Sequence, residues 1–220
     1  MPADAAAGDD AIARAGYEAQ ILATGEVATR VEGRGARHDL YNALAWLTWP
    51  RTKARLNALH AQGLAGGAAP AGGRGALRDA TTLLDENGAL WVGADASLEA
   101  ALRAFDWATL FVARRDALRA AVAVHVPGHA LLEKLDAPYK AITAHAWPLR
   151  LPADAPLDAV DAAAAASLDA GLPSTRALCP LPVMGLPGWC DANRDPAFYN
   201  DPMVFRPGRR SSRAGPPTSR

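Results

Sequence analysis

The chain has 220 residues, 50% of them hydrophobic, and a formal net charge of +0 at pH 7. That length fits one medium-sized domain with an ordinary apolar core. The balanced charge excludes a global electrostatic field that would draw the chain to nucleic acid or to anionic lipid. Cys179 and Cys190 are too far apart for a CxxC motif. We expect two reduced thiols, with a disulfide in an oxidising compartment as the alternative.

The sequence predicts neither a secretory signal nor a membrane span. Its start, MPADAAAGDD, is acidic and lacks a basic region followed by an apolar run. No apolar run approaches the roughly 18 residues that a membrane span requires. We therefore expect a cytoplasmic protein with one globular domain over residues 11–210. Residues 1–10 and the tail over residues 211–220 are expected to be disordered.

The first elements have helical periodicity. A short helix is expected to end at Gly25, and a second periodic stretch covers residues 39–49. Pro50 would kink a helix interior but suits the first turn of a new helix. The pattern therefore predicts two helices, or one sharply bent helix, ending at Gly63. Nearly every residue over 40–49 is apolar or small, which predicts that this helix is buried on most sides.

The sheet is predicted from three segments. ATTLLDENGALWV, residues 80–92, indicates a β-hairpin because Asn-Gly supplies positive φ between two apolar runs. Residues 121–126 and the alternating residues 139–150 are further candidate strands. Helices are expected over residues 97–120 and 157–170. The fold class is therefore a single α+β domain with a small, mostly antiparallel sheet packed against helices.

The last part of the chain differs in composition. Residues 183–210 are rich in proline and glycine but retain Trp189, Phe198, Tyr199 and Phe205. A disordered segment would be poor in such aromatic residues. We therefore expect an ordered, irregular C-terminal arm that wraps around the domain.

Polar residues interrupt the apolar stretch RHDLYNALAWLTWPRTKARLNALH, residues 37–60. His38 and Asn42 are four residues apart and share one helix face, with Asp39 beside them. On the second helix, at about 100° per residue, a stripe roughly 60° wide holds three more polar residues: Lys53, Asn57 and His60.

Two interpretations of this cluster remain open. In the structural one, the polar residues cap helices and bind loops. In the catalytic one, they line a pocket, because buried polar groups must be satisfied and a ligand can do so. His60 or His38 is then the general base and Asp39 orients it. Lys53 and Asn57 donate hydrogen bonds to an anionic oxygen.

A second candidate site lies in GHALLEKL, where His129 and Glu133 are four residues apart on one short helix. This pair suits two metal ligands, or a base and its orienting group, although a simple surface hydrogen bond has the same spacing. His145 is a candidate third member. A further carboxylate is expected from one of three residues: Asp79, Asp85 or Glu86.

Four blocks in this order resemble a bacterial family known as domain of unknown function 3025: HDLYNALAWLTWPRTKARLNALH, RDATTLLDENG, GHALLEKLDAPYKAITAHA and PLPVMGLPGWCDANRDPAFYNDPMVFRPGRR. The resemblance covers roughly residues 35–210 and assigns no role to any residue. It marks the following as motif positions: His38, Asp39, Asn42, Pro50, Lys53, Asn57, His60, Arg78, Asp79, Asp85, Glu86, Gly128, His129, Glu133, Lys134 and Arg206.

The functional expectation is an enzyme with hydrolase-like acid–base or metal-assisted chemistry on a small or phosphorylated substrate. The partner is then a small-molecule or anionic ligand, with no membrane and no nucleic acid. The sequence specifies neither a cofactor nor a metal. One alternative is a non-catalytic protein-interaction module in which the polar residues are structural. A further alternative is a metal-dependent nuclease similar to the His-Asn-His class, suggested by the helical LNALH segment.

Overall fold

The computed structural model describes residues 16–65, 73–170, 175 and 178–208. Its helices are α1 over residues 16–24, α2 Ala36–Thr48, α3 Pro50–Ala65, α4 Gly73–Asn87, α5 Ala96–Arg103, α6 Arg115–Ala121, α7 His129–Leu135 and α8 Leu157–Ala170. A π-helical turn, Ala108–Ala113, precedes α6. The strands are β1 Gly88–Val92, β2 Ala123–His125, β3 Thr143–Leu149 and β4 Cys179–Pro182. The expected disordered segments 1–10 and 211–220 lie outside the described residues.

The four strands form one mixed sheet in the order β2-β1-β3-β4. β1 pairs antiparallel with β2 and parallel with β3, and β3 pairs antiparallel with β4. Helices make up most of the rest of the described chain. The predicted α+β single domain is therefore confirmed, with one parallel pairing at the centre of the sheet.

The sheet separates two hydrophobic clusters because successive strand residues point to opposite faces. Ala144 and Ala146 of β3 belong to one cluster, with α5, the π-helical turn and the C-terminal arm. Trp147 of β3 belongs to the other, with α3, α4 and α8. The alternation predicted for this strand is thereby confirmed. β1 is buried along its whole length, as expected for a strand covered on both faces.

The predicted hairpin over residues 80–92 is wrong, because residues 80–87 belong to α4 and only Gly88 onward forms a strand. Ala80, Thr81 and Leu84 are buried. These positions have the spacing of one helix face that packs against the sheet. Gly88 allows close packing of the backbone and does not form a hairpin turn. A Cβ on Gly88 would lie 2.3 Å from the backbone oxygen of Leu84.

β4 has no counterpart among the predicted strands. Its sequence, CPLP, contains two prolines, which argue against a central strand. β4 lies at the edge of the sheet and pairs only with β3, so its prolines cost few ladder hydrogen bonds.

The burial predicted for α2 is also wrong. Only Ala45 of this helix is buried, whereas Leu40, Leu44 and Leu47 are 52%, 43% and 81% exposed. α2 lies on the outside of the domain and packs against α3 and α7. Apolar composition therefore did not predict burial here, because Leu40, Leu44 and Leu47 share the outward face of the helix.

The predicted break at Pro50 is confirmed, with Trp49 as the single residue between α2 and α3. The new helix begins with backbone N–H groups that no intrahelical partner can satisfy. Asp161 of α8 supplies them: its Oδ2 accepts from the Arg51 N–H at 2.9 Å, and its Oδ1 from the Thr52 N–H at 2.9 Å. One buried carboxylate thus joins α3 to α8.

The C-terminal arm is ordered through residue 208 and contains three short 3-10 turns, Val183–Gly185, Asp191–Arg194 and Pro196–Asn200. Aromatic contacts hold it to the domain as expected. Tyr199 stacks on Phe111 with ring centroids 5.5 Å apart. Trp107 donates its indole N–H to the Arg206 carbonyl at 2.7 Å.

Cys179 is buried and Cys190 is half-buried, and the two do not form a disulfide, in agreement with the predicted thiols. Among the described helices, none has the length and apolar character that crossing a membrane requires.

Replacing Asp161 by alanine should lower the free energy of unfolding by about 2 kcal/mol, because two helix N-terminal donors lose their buried acceptor. Urea denaturation measures the change. Asp158→Ala is the matched control, since Asp158 lies on the same helix with an exposed side chain. Equal losses in the two variants would contradict the capping role of Asp161.

Candidate active site

A close backbone contact brings α7 to the junction between α4 and β1. The Gly128 N–H donates to the Gly88 carbonyl at 3.2 Å. A Cβ on Gly128 would lie 2.5 Å from the Gly88 nitrogen and 2.8 Å from the Glu86 carbonyl oxygen. Only glycine fits at this distance, and His129, the next residue, therefore lies beside Asp85. His129 Nδ1 is 2.7 Å from the Asp85 backbone oxygen.

α2 completes this arrangement by packing on α7 with His38 facing inward. His38 Nδ1 lies 3.0 Å from Glu133 Oε2, and its Nε2 lies 3.1 Å from His129 Nε2. The two clusters predicted from separate parts of the sequence therefore share one space. Glu133, His38 and His129 form a continuous row that ends at the Asp85 backbone.

The hydrogen bonds fix where the protons lie. A backbone carbonyl only accepts, so His129 Nδ1 carries a hydrogen. Burial lowers the pKa of His129, and Lys53 and His38 lower it further against the opposing effect of Asp85. His129 is therefore neutral at pH 7 with a lone pair on Nε2. His38 Nδ1 faces Glu133 Oε2 at 3.0 Å and donates to it. The two Nε2 atoms lie within hydrogen-bond distance of each other.

Lys53 and Asp85 form an ion pair directly behind His129. The Lys53 side chain is 3% exposed and its ammonium binds Asp85 Oδ1. The ammonium also lies 5.7 Å from the centre of the Trp46 ring. Burial raises the pKa of Asp85, but the Lys53 charge and the hydrogen bond from its ammonium hold that pKa below its usual range. Asp85 is therefore ionised at neutral pH, and of the three candidate carboxylates it is the one at the site.

Asp39 does not orient His38 as predicted, because it binds Arg30. The Arg30 guanidinium donates from Nε to Asp39 Oδ2 at 2.6 Å and from Nη2 to Oδ1 at 2.8 Å. These bonds lower the pKa of Asp39 to about 2. Glu133 has the orienting position instead. In the sequence, the i,i+4 spacing of His129 and Glu133 indicated that Glu133 belongs to the site, but it did not indicate that Glu133 contacts His38.

Asn42 and Asn57 fasten α1 over the helix pair. Asn42 donates from Nδ2 to the Tyr17 hydroxyl at 3.0 Å, and Asn57 donates from Nδ2 to the Glu18 carbonyl at 3.1 Å. The Oδ1 atoms of both asparagines are buried and have no hydrogen-bond partner in the described part of the chain. Burial and neighbouring carboxylates raise the pKa of Tyr17 to about 12. The sequence gave no signal for Tyr17.

These residues surround a cavity of about 740 Å³. Six of the residues predicted to be catalytic line it, and so does the candidate carboxylate Asp85; the six are His38, Asp39, Asn42, Lys53, Asn57 and His129. Sequence reasoning missed the following lining residues: Tyr17, Glu18, Ile21, Ala28, Thr29, Arg30 and Trp46. Glu133 lies behind His38, and His60 is outside the lining, although its charge helps to lower the Asp85 pKa. His145, on β3, is also outside it.

Among the described residues, no group of three or more histidine, cysteine, aspartate or glutamate side chains is placed to hold a metal ion. The arrangement nevertheless offers two imidazole nitrogens at the cavity wall, each oriented through its other ring nitrogen.

Comparison with known families gives one result. A family model described as a protein of unknown function, DUF3025, matches residues 6–209. The chain belongs to this family. The membership predicted from four sequence blocks is thereby confirmed, and the family description attaches no activity to the site. Neither the curated proteins nor the solved structures that were compared match the chain.

Replacing Lys53 by methionine should lower the free energy of unfolding by about 3–5 kcal/mol at pH 7, because Asp85 would keep a buried charge without its partner. Urea denaturation measures this loss. Lys140→Met is the matched control: Lys140 pairs with Asp201 at the surface at 3.1 Å, and such a pair contributes about 0–1 kcal/mol.

The loss should depend on pH in one direction. A carboxyl with a lowered folded pKa stabilises above its unfolded pKa of about 3.9, and this contribution disappears as the pH falls through the folded value. The gap between the wild type and Lys53→Met should therefore shrink in acid. A gap that is constant from pH 7 to pH 3 would contradict the ion pair as its cause.

Proposed function

We propose that the protein is an enzyme with hydrolase-like acid–base chemistry on a small molecule bound in the cavity. The carrying observation is the Glu133–His38 pair, with Nδ1 and Oε2 3.0 Å apart and His38 Nε2 at the cavity wall. A carboxylate that accepts from one imidazole nitrogen orients the ring and stabilises its protonated form. His38 can then take a proton from an attacking water and return it to the leaving group.

His129 assists as a neutral neighbour whose position is fixed from behind. Its Nδ1 is held by the Asp85 carbonyl, and its ring meets the His38 ring edge to face at a centroid distance of 4.6 Å. The Lys53–Asp85 pair lies behind it and keeps this wall charged and ordered. His38 is the more accessible of the two imidazoles, since its side chain is 37% exposed, and it is therefore the one assigned proton transfer.

The charges in the cavity favour a neutral or hydrogen-bond-donating molecule over a phosphorylated one. Arg30 is already bound by Asp39, and Lys53 by Asp85. An anionic substrate would compete with these carboxylates for both cations. In contrast, a neutral molecule leaves both ion pairs intact.

A panel of chromogenic carboxylic esters, amides and phosphomonoesters tests the proposal. We expect turnover of an ester or amide, a loss of about 10²–10⁴-fold in kcat for His38→Gln, and a smaller loss for Glu133→Gln. His145→Gln, at a half-buried histidine outside the cavity, is the control. Equal rates in the wild type and His38→Gln would contradict the assignment.

One observation favours the second candidate, a protein-interaction module. Leu40, Leu44 and Leu47 form an exposed apolar row along α2, and such surfaces commonly mark protein contacts. If this row is an interface between copies, sedimentation should reveal concentration-dependent association that the double variant Leu44→Glu, Leu47→Glu abolishes. A wild type that is monomeric at all concentrations would contradict self-association.

A further inference from the structure

We propose that His38 Nε2 and His129 Nε2 are two ligands of a divalent transition-metal ion of the zinc class, bound at the inner wall of the cavity. This goes beyond the proposed function, and the two describe different states of the protein: a His38 Nε2 that binds a metal ion cannot accept a proton, so the acid–base role belongs to the metal-free protein. The proposal concerns the Nε2 atoms because the Nδ1 atom of each ring is already used in a hydrogen bond.

The first support is the arrangement behind each ring. Metal-binding histidines usually donate their other ring N–H to a carboxylate or a backbone carbonyl, which fixes the tautomer and the ring orientation. His38 uses Nδ1 for the Glu133 carboxylate at 3.0 Å, and His129 uses Nδ1 for the Asp85 backbone oxygen at 2.7 Å. Both imidazoles are therefore held as Nδ1–H forms, and both Nε2 atoms are available as ligands.

The second support is the relative direction of the two rings. The Nε2 atoms are 3.1 Å apart, but the ring centroids are only 4.6 Å apart. If the two rings pointed directly at each other at that nitrogen separation, their centroids would be farther apart. The distance from each Nε2 to its own ring centre would then lie along the line that joins the nitrogens. The nitrogen lone pairs are therefore inclined to the line that joins them. The same nitrogen separation suits a hydrogen bond when one Nε2 carries a proton, and an ion beside the line that joins the nitrogens when neither does.

The separation agrees with this position. Zinc–nitrogen bonds of about 2.0–2.1 Å at a tetrahedral angle place two ligand nitrogens about 3.3–3.4 Å apart. The observed 3.1 Å is close to that value. Imidazole nitrogen is also a ligand type that zinc, copper, nickel and iron accept.

The remaining coordination positions belong to the cavity. The described residues contain no group of three or more histidine, cysteine, aspartate or glutamate side chains that could hold a metal. Of the carboxylates that line the cavity, Asp39 is bound by Arg30 and Asp85 by Lys53, and Glu18 has contacts of its own. Water fills the remaining two positions, one more than in catalytic zinc sites with three protein ligands. Two protein ligands imply weaker binding than in a closed structural site.

Titration of chelator-treated protein, purified without a histidine tag, tests the inference. Calorimetry with Zn²⁺ and visible absorption with Co²⁺ should give one equivalent per chain. His38→Ala should weaken binding at least tenfold, and His145→Ala should leave it unchanged. Glu133→Gln, which removes only the orienting carboxylate, should weaken it by about 10–100-fold.

His129 is buried, so His129→Ala is interpreted only if its circular dichroism and unfolding midpoint match the wild type. If His129→Ala is destabilised, His38→Ala and Glu133→Gln test the inference instead. Both of these side chains are more than a third exposed, so their replacement should leave the fold intact. No binding by the wild type, or equal binding by the wild type and His38→Ala, would overturn the inference. Substrate turnover is measured separately on the metal-free protein, so that failure of metal binding and failure of the acid–base proposal remain distinguishable.

Discussion

The candidate site depends on a contact between two glycines. Gly128 approaches Gly88 so closely that its N–H reaches the Gly88 carbonyl at 3.2 Å. A methyl group at Gly128 would overlap backbone atoms at 2.5 Å and 2.8 Å. This contact places the beginning of α7 against the end of α4. The position of His129 relative to Asp85 follows directly, and the position of His38 follows from the packing of α2 on α7.

Charge pairing gives the cavity its chemical character. Its two cations are bound by carboxylates, and its two imidazoles are fixed from behind by acceptors. Other polar residues at the wall include Tyr17, Glu18 and Thr29. Such a site is preorganised, because its side chains are already held in place before a ligand arrives.

The sequence predicted the fold class, the break at Pro50 and six of the cavity residues, because these follow from local periodicity and from polar residues in apolar helices. Prediction from the sequence failed for features that are determined by contacts between distant parts of the chain. Asn87-Gly88 has the composition of a hairpin turn, but packing of Leu84 on the sheet makes residues 80–87 helical. Tyr17 and Arg30 reach the site from distant positions, and no local pattern indicates which carboxylate Arg30 will bind.

The shallow packing of α2 gives the two halves of the site different local stabilities. His129 and Lys53 are themselves buried, whereas His38 lies on α2, whose one buried residue is Ala45. An element with so few buried residues opens at a lower free energy than the core around it. A ligand that bridges His38 and His129 would therefore stabilise α2 by holding it against α7.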